Sequence, residues 1–207
     1  MIKNNARVLF QGDSVTDCGR SIEDESYLGN GYANFIAAWY SAVYPEKGLT
    51  FINRGISGNR AIDLVGRWDD DCIALKPDLV SILIGINDCW RRYDSNDPTS
   101  TEKFEDYYRK ILVHTREKLA AKIVLCEPFV LPHPQDRKKW REDLDPKIHV
   151  VRELAREFDA VYVPFDGIFA RACTRREPAY WAEDGVHPTQ EGHALMAKTW
   201  LESVGLV

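Results

Sequence analysis

The sequence predicts an α/β protein in which a five-stranded parallel sheet lies between two layers of helices. Short apolar runs alternate with amphipathic stretches along all 207 residues. The run Leu79–Ile84 is apolar throughout, which is typical of a strand buried on both faces. Repeated strand-then-helix units favour parallel strands with helices on both sides. We therefore predict one domain over residues 1–207, a doubly wound three-layer α/β/α sandwich.

The elements follow one another at the spacing that such a sheet needs. The first strand is predicted at Val8–Gln11, and the first helix over Gly31–Tyr44, where aromatic and aliphatic residues recur at helical spacing. Two polar stretches, 91–101 and 131–145, are predicted to be loops. The other predicted strands are Thr50–Asn53, Leu79–Ile84, Ile123–Cys126 and Val161–Val163, and the other predicted helices are Ala61–Leu75, Glu102–Leu119, Asp143–Phe158 and Thr189–Val204.

Composition excludes several classes of protein. A net charge of −5 argues against a nucleic-acid-binding protein, which usually carries a basic face. No apolar stretch approaches the length of a membrane span, and the first residues lack the apolar region of a secretory signal. The cysteines are odd in number and widely spaced, which predicts free thiols in a reducing compartment, and therefore a cytoplasmic protein. They are Cys18, Cys72, Cys89, Cys126 and Cys173.

Two motifs at the ends of the chain carry the residue types of a nucleophilic site. Ser14 follows the first strand directly, within Gly12-Asp13-Ser14, and an isolated serine there would more often cap the next turn. Near the other end, the sequence Asp184-Gly185-Val186-His187 precedes the last helix. His187 is the candidate general base, and Asp184 can bind its other ring nitrogen.

Two further motifs follow the second and third strands. Gly58 lies in a turn whose backbone N–H can hold a developing oxyanion, and the Asn87 side chain offers a second donor. The alternatives are an ordinary turn at Gly58, and a turn or helix cap at Asn87 and Asp88. Because the carboxyl ends of parallel strands share one edge of the sheet, all four motifs should converge there. Together they predict acyl transfer by a serine nucleophile.

The four motifs resemble those of the SGNH hydrolases, also called GDSL esterases and lipases, over nearly the whole chain. The stretches 12–20, 53–59 and 84–91 further resemble intracellular acetyl-xylan and xylo-oligosaccharide esterases. The resemblance implies Ser14 as nucleophile, His187 as base and Asp184 as its orienting partner. It also implies an oxyanion hole formed by the N–H groups of Ser14 and Gly58 with the Asn87 side chain. The resemblance implies no metal or organic cofactor. It does imply a homo-oligomer.

The predicted substrate is a small acylated molecule, most simply an acetylated carbohydrate, with no nucleic-acid or membrane partner. Trp90 and Trp181 flank the motifs and can stack on a sugar ring, although core packing or a partner interface would explain them equally. Arg54 can bind polar sugar groups or form an exposed ion pair. Asp13 is grouped with these substrate-binding candidates. Since the resemblance does not make Asp13 a catalytic acid, this residue is expected to organise its loop.

Other functions remain open at this point. Within the hydrolases, the alternative is a broad-specificity GDSL esterase, a lysophospholipase or a thioesterase. A flavodoxin-like sandwich also suits a binding or regulatory module without catalysis. Asp13 and Asp17 oppose that reading because they place negative charge where such a module binds phosphate, and no G-x-G-x-x-G motif is present. An inactive hydrolase that serves as a structural subunit is the last alternative.

Overall fold

A five-stranded parallel sheet organises the molecule, as the sequence predicts. The structure is a computed structural model and describes residues 2–205. The strand order is β2-β1-β3-β4-β5, and every pairing is parallel. β3 is central, and each of its residues is buried, which explains its uninterrupted apolar sequence. The strands are β1 (Arg7–Gly12), β2 (Thr50–Gly55), β3 (Leu79–Leu83), β4 (Lys122–Cys126) and β5 (Val161–Val163).

Helices cover both faces of the sheet. Two long helices, α2 and α9, pack against each other on one face, and α3 and α5 do so on the other. Within residues 2–205, no helix combines the length and the apolar character needed to cross a membrane. The helices are α1 (Ser14–Asp17), α2 (Tyr32–Val43), α3 (Ala61–Trp68), α4 (Ile86–Asp94), α5 (Thr101–Lys118), α6 (Arg141–Glu157), α7 (Phe165–Cys173), α8 (Pro178–Trp181) and α9 (Gln190–Ser203).

The alternation of side chains along each strand divides the core into two layers. In β1, Phe10 packs with the first layer, which includes Tyr32 of α2 and Trp200 of α9. Its neighbour Leu9 packs with the second layer, which includes Trp68 of α3. A third, smaller cluster lies above the sheet edge and joins α4, α6 and the segment between β4 and α6. Helices on both faces account for the strand sequences being apolar on both sides.

Three predictions about secondary structure are wrong. The stretch 91–101 is not entirely a loop, because α4 continues to Asp94. This helix buries Ile86 and Cys89, one turn apart, but it is too short for the apolar period to stand out in the sequence. The helix predicted over Ala61–Leu75 ends at Trp68, and a π-helical turn over Asp69–Ile73 follows it. In the second polar stretch, α6 begins at Arg141, so residues 141–145 are helical.

The strand order places a crevice between the carboxyl ends of β1 and β3. Gly12, the last residue of β1, pairs with Gly55 of β2 and with Leu83 of β3, so the three strands end at the same level. From β1 the chain passes to β2 on one side of the sheet, and then to β3, β4 and β5 on the other side. The crevice between β1 and β3 is therefore the switch point in strand order, where doubly wound sheets bind ligands. Ser14 follows β1, and Asn87 follows β3. The two residues therefore stand on opposite sides of the crevice.

Candidate active site

Ser14, His187 and Asp184 form a continuous chain of hydrogen bonds beyond this edge of the sheet. Ser14 Oγ lies 2.8 Å from His187 Nε2. His187 Nδ1 lies 2.7 Å from Asp184 Oδ2. An ionised carboxylate only accepts hydrogen bonds, so Nδ1 carries the ring proton and Nε2 is free to accept the serine proton. The arrangement has the connectivity of a serine nucleophile, its base and an orienting carboxylate.

The loop that carries the histidine is ordered by the aspartate itself. Asp184 Oδ1 accepts hydrogen bonds from the backbone N–H of Val186 at 2.9 Å and of His187 at 2.7 Å. Gly185, which links Asp184 to Val186, has φ of +81°, a conformation that residues with a Cβ rarely adopt. The following helix begins at Gln190, where the Thr189 hydroxyl accepts from the Gly192 N–H. The carboxylate therefore shapes the loop as well as orienting the ring.

The serine stands at the first position of the short helix α1. Asp13 caps this helix, because its Oδ1 accepts from the Val15 N–H at 3.0 Å. Asp13 is only 1% exposed, and burial raises its pKa to about 7. A Cβ on Gly12 would lie 2.4 Å from the Leu83 carbonyl oxygen, so only glycine allows β1 to turn this close to β3. Asp13 thus caps the short helix that presents Ser14.

Asp184 and His187, the two ionisable residues in this chain of hydrogen bonds, shift each other's pKa. The hydrogen bond with Asp184 raises the pKa of His187 above its ordinary value, and partial burial opposes it less strongly. For Asp184, partial burial acts to raise the pKa. Hydrogen bonds from the His187 ring and from two backbone N–H groups outweigh it, however, and hold that pKa well below its usual range. The carboxylate is therefore ionised at neutral pH and favours the imidazolium that a base catalyst must form.

The oxyanion-hole candidates lie together beside the crevice. Asn87 is 4% exposed, and its Nδ2 donates one hydrogen bond to the Asn59 carbonyl at 3.0 Å. An amide nitrogen has two protons, so the second N–H remains for a ligand. Gly58 precedes Asn59 and has φ of +84°, which favours glycine there. Asp88 does not cap its own helix, α4, whose N-cap is Gly85. Its Oδ2 instead accepts a long-range hydrogen bond from the Ala61 N–H at 3.0 Å, at the start of α3.

The structure brings one of the other substrate-binding candidates to the triad. The ring of Trp90 is 5.9 Å from that of His187, centroid to centroid. Trp181 instead packs against the first core layer and meets Tyr180 edge to face. Arg54 forms ion pairs with two carboxylates, those of Glu25 and Asp71, and its side chain is 15% exposed.

One side chain at the site was not expected from the sequence. Arg137 Nε donates to the Asp184 backbone carbonyl at 3.1 Å, and its guanidinium lies over Trp140 and Trp90. It belongs to a stretch with several charged residues, and nothing in that pattern distinguishes it from Lys138 or Lys139.

Comparison with known proteins explains why these motifs occur together. The GDSL-like Lipase/Acylhydrolase family model matches residues 10–195. The chain belongs to this family. An acetylxylan esterase from Geobacillus stearothermophilus is 36% identical over 212 residues, which cover 99% of this chain and 96% of that protein.

Solved structures of GDSL proteins superpose closely on this one. A protein from Parabacteroides merdae, described as GDSL-like lipase, has a TM-score of 0.95 and 39% identity, covering 100% of this chain and 99% of its own. The Geobacillus stearothermophilus acetylxylan esterase has a TM-score of 0.91 and 37% identity, covering 99% and 96%. Three of its structures are catalytic mutants with alanine in place of a serine, a histidine or an aspartate.

Membership in the GDSL family confirms the class of reaction predicted from the four motifs. The protein is a carboxylic ester hydrolase with the α/β fold of this family. The resemblance identified in the sequence is thus confirmed over its full length.

Proposed function

We propose that this GDSL hydrolase removes acetyl groups from short carbohydrate esters, with Ser14, His187 and Asp184 as its catalytic triad. The observation that carries the proposal is the pair of hydrogen bonds from Ser14 Oγ to His187 and from His187 to Asp184, at 2.8 and 2.7 Å. The first bond is at the length that a proton transfer needs, and the second fixes the ring tautomer that leaves Nε2 free to accept the proton. They lie at the switch point of the sheet, where a ligand has room to bind.

In the first step, Ser14 Oγ attacks the ester carbonyl carbon while His187 Nε2 takes the hydroxyl proton. The carbonyl oxygen becomes an oxyanion, held by the N–H groups of Ser14 and Gly58 and by the Asn87 side chain. The imidazolium then returns its proton to the alcohol oxygen as the C–O bond breaks. The sugar alcohol departs, and the acetyl group remains on Ser14 as an ester.

In the second step, His187 takes a proton from water as the water oxygen attacks the acetyl carbonyl. The same donors hold the second oxyanion. Its collapse breaks the bond to Ser14 Oγ, which receives the proton from His187, and acetic acid leaves. Asp184 stabilises the imidazolium in both steps because it is ionised at neutral pH.

Replacing Asn87 by alanine should lower kcat by roughly 100- to 1000-fold and leave KM nearly unchanged. The reason is that the second amide N–H, free of the Asn59 carbonyl, acts on the oxyanion and not on the ground-state ester. Steady-state kinetics on 4-nitrophenyl acetate would measure both constants. A rise in KM at constant kcat would instead make Asn87 a ground-state binding residue.

The choice of an acetylated carbohydrate rests on two observations. The first is the near full-length similarity to an acetylxylan esterase. The second is Trp90, whose ring centroid lies 5.9 Å from that of His187. Aromatic rings next to a reactive centre are suited to packing against the apolar face of a sugar.

Acetate release from acetylated xylo-oligosaccharides tests this choice. Alongside these, the enzyme would be given 4-nitrophenyl acetate, butyrate and octanoate, a lysophospholipid and an acyl thioester. We expect kcat/KM to fall by more than about tenfold as the acyl chain grows past acetyl. We also expect steady acetate release from the oligosaccharides. Equal or faster turnover of the octanoate, lysophospholipid or thioester, with the oligosaccharides untouched, would replace the proposal by a broad esterase, lysophospholipase or thioesterase.

The proposal includes a cytoplasmic location and a homo-oligomer. All five cysteines are free in the structure, as expected of a protein in a reducing compartment. Light scattering coupled to size exclusion would give the assembly, and cell fractionation the location. A monomer at working concentration, or a protein recovered outside the cell, would remove the corresponding part of the proposal.

A further inference from the structure

The segment between β4 and α6 lies directly against the loop that carries Asp184 and His187. The Leu131 N–H donates to the Gly185 carbonyl at 2.8 Å. The contact is tight, since a Cβ on Gly185 would lie 2.0 Å from the His133 carbonyl oxygen. One face of the catalytic loop is therefore in contact with the backbone of this segment.

Arg137, from the same segment, holds the neighbouring carbonyl of that loop. Its Nε donates to the Asp184 carbonyl at 3.1 Å. The guanidinium carbon lies 4.1 Å from the centroid of the Trp140 ring, and a second nitrogen, Nη1, is 2.6 Å from Asp136 Oδ2. The arginine side chain is only 15% exposed. Trp140 is itself buried, so the guanidinium rests on a fixed surface.

Arg137 also supports the histidine end of the triad through Trp90. Its guanidinium carbon is 5.2 Å from the centroid of the Trp90 ring, and that ring is 5.9 Å from the ring of His187. Trp90 packs in turn on Trp140, at 5.2 Å between centroids. A single arginine thus touches the peptide of Asp184 and the aromatic ring that neighbours His187.

We propose that Arg137 is a positioning residue that aligns Asp184 and His187 with Ser14. It acts by donating its Nε–H to the Asp184 carbonyl and by packing its guanidinium over Trp140 and Trp90. The inference rests on the proposed role of Ser14, His187 and Asp184. Without this hydrogen bond, the Asp184 peptide can rotate, and its carboxylate then moves relative to His187 Nδ1. A misplacement of about 1 Å in a catalytic group can cost roughly 100-fold in rate.

Direct substrate binding is the alternative role for an arginine at this place. The contacts oppose it, because the guanidinium is already engaged by the Asp184 carbonyl, the Asp136 carboxylate and the Trp140 ring. Little of the side chain is left for a ligand. The two roles also affect different kinetic constants: loss of alignment lowers kcat, whereas loss of substrate contact raises KM.

Two substitutions separate the hydrogen bond from the charge. Arg137→Gln places an amide N–H where Nε stands, on an equally planar group, but removes the charge. Arg137→Lys keeps the charge but places a methylene at that position, so the donor to the Asp184 carbonyl is lost. We expect Arg137→Lys and Arg137→Ala to lower kcat roughly 10- to 100-fold with KM nearly unchanged, and Arg137→Gln to recover most of the loss.

Inactivation by a serine-reactive organophosphate gives a readout without a sugar substrate. Its rate depends on the attack of Ser14 assisted by His187, so it should fall in parallel with kcat for Arg137→Lys and Arg137→Ala. Lys138→Ala is the matched control, because Lys138 is the exposed neighbour on the same segment. Asp136→Asn tests the ion pair alone, and its effect should be small because the Asp136 side chain is 61% exposed. Circular dichroism and thermal melts would show that each variant is folded.

The outcomes are distinct. Arg137→Lys at wild-type kcat, or at a kcat that exceeds that of Arg137→Gln, would overturn the inference because the donor would then not matter. A rise in KM alone would also overturn it and make Arg137 a substrate-binding residue. The proposed triad is tested separately by Ser14→Ala: if that variant stayed active, the assignment of the triad would be wrong, whatever Arg137 does.

Discussion

Replacing Ser14 by alanine should lower kcat by about a millionfold, because no other group in the crevice takes over the attack on the ester carbonyl. The members of a triad act as a unit, so His187→Ala and the double variant should be about as inactive as Ser14→Ala. The residual rate would come from the oxyanion donors and substrate binding. Acetate release at high enzyme concentration, with background hydrolysis subtracted, would measure it.

The change should leave the fold intact. The Ser14 hydroxyl contributes one hydrogen bond, to His187. Its loss should cost no more than about 1.5 kcal/mol of unfolding free energy. Ser26→Ala is the matched control, since Ser26 is exposed and its hydroxyl bonds to the nearby carboxylate of Asp24. A Ser14→Ala variant that keeps even a hundredth of the wild-type kcat would mean that another nucleophile acts. Mass spectrometry of the organophosphate adduct would then identify it.

The sheet could be predicted from the sequence because its three inner strands, β1, β3 and β4, are largely buried on both faces. Val161–Val163 is only three residues long, yet the sequence prediction and the structure agree on its bounds. The helices that were missed are short: α1, α4, α7 and α8 contain four, nine, nine and four residues. Two turns of helix show too few apolar repeats to distinguish them from a loop. Their formation depends on packing against a core that the rest of the chain provides.

The site could be predicted where its residues occupy strand ends. Ser14, Gly58 and Asn87 each follow a strand, and topology alone brings such positions to one edge of the sheet. Arg137 could not be predicted in this way. Its contact with the Asp184 carbonyl depends on how the segment between β4 and α6 folds back on the catalytic loop. Neither hydrophobic periodicity nor a sequence motif predicts that arrangement, because the carbonyl that Arg137 binds belongs to the backbone.

Replacing Asp184 by asparagine should lower kcat by about 10,000-fold, although the side chain keeps its size. An asparagine can present an N–H to His187 Nδ1, which then accepts it, and the ring proton moves to Nε2. In that tautomer, Nε2 can no longer take the proton of Ser14 Oγ, 2.8 Å away. The imidazolium also loses the carboxylate that stabilises it. Stopped-flow or single-turnover release of 4-nitrophenol would measure the loss.

The pH dependence of Asp184→Asn distinguishes this electrostatic role from a purely structural one. The hydrogen bond with Asp184 is the main cause that raises the pKa of His187. In the wild type, kcat/KM should therefore fall on the acid side with a midpoint above about 6.5, as His187 gains a proton and can no longer act as base. Without the carboxylate, the pKa of His187 drops, so the midpoint of the much slower variant should move to lower pH. Asp184 also accepts two backbone N–H groups of its own loop, and an asparagine oxygen can keep those bonds. If the midpoint stayed in place while kcat fell, the aspartate would serve chiefly to shape the loop, and its charge would not be what raises the pKa of His187.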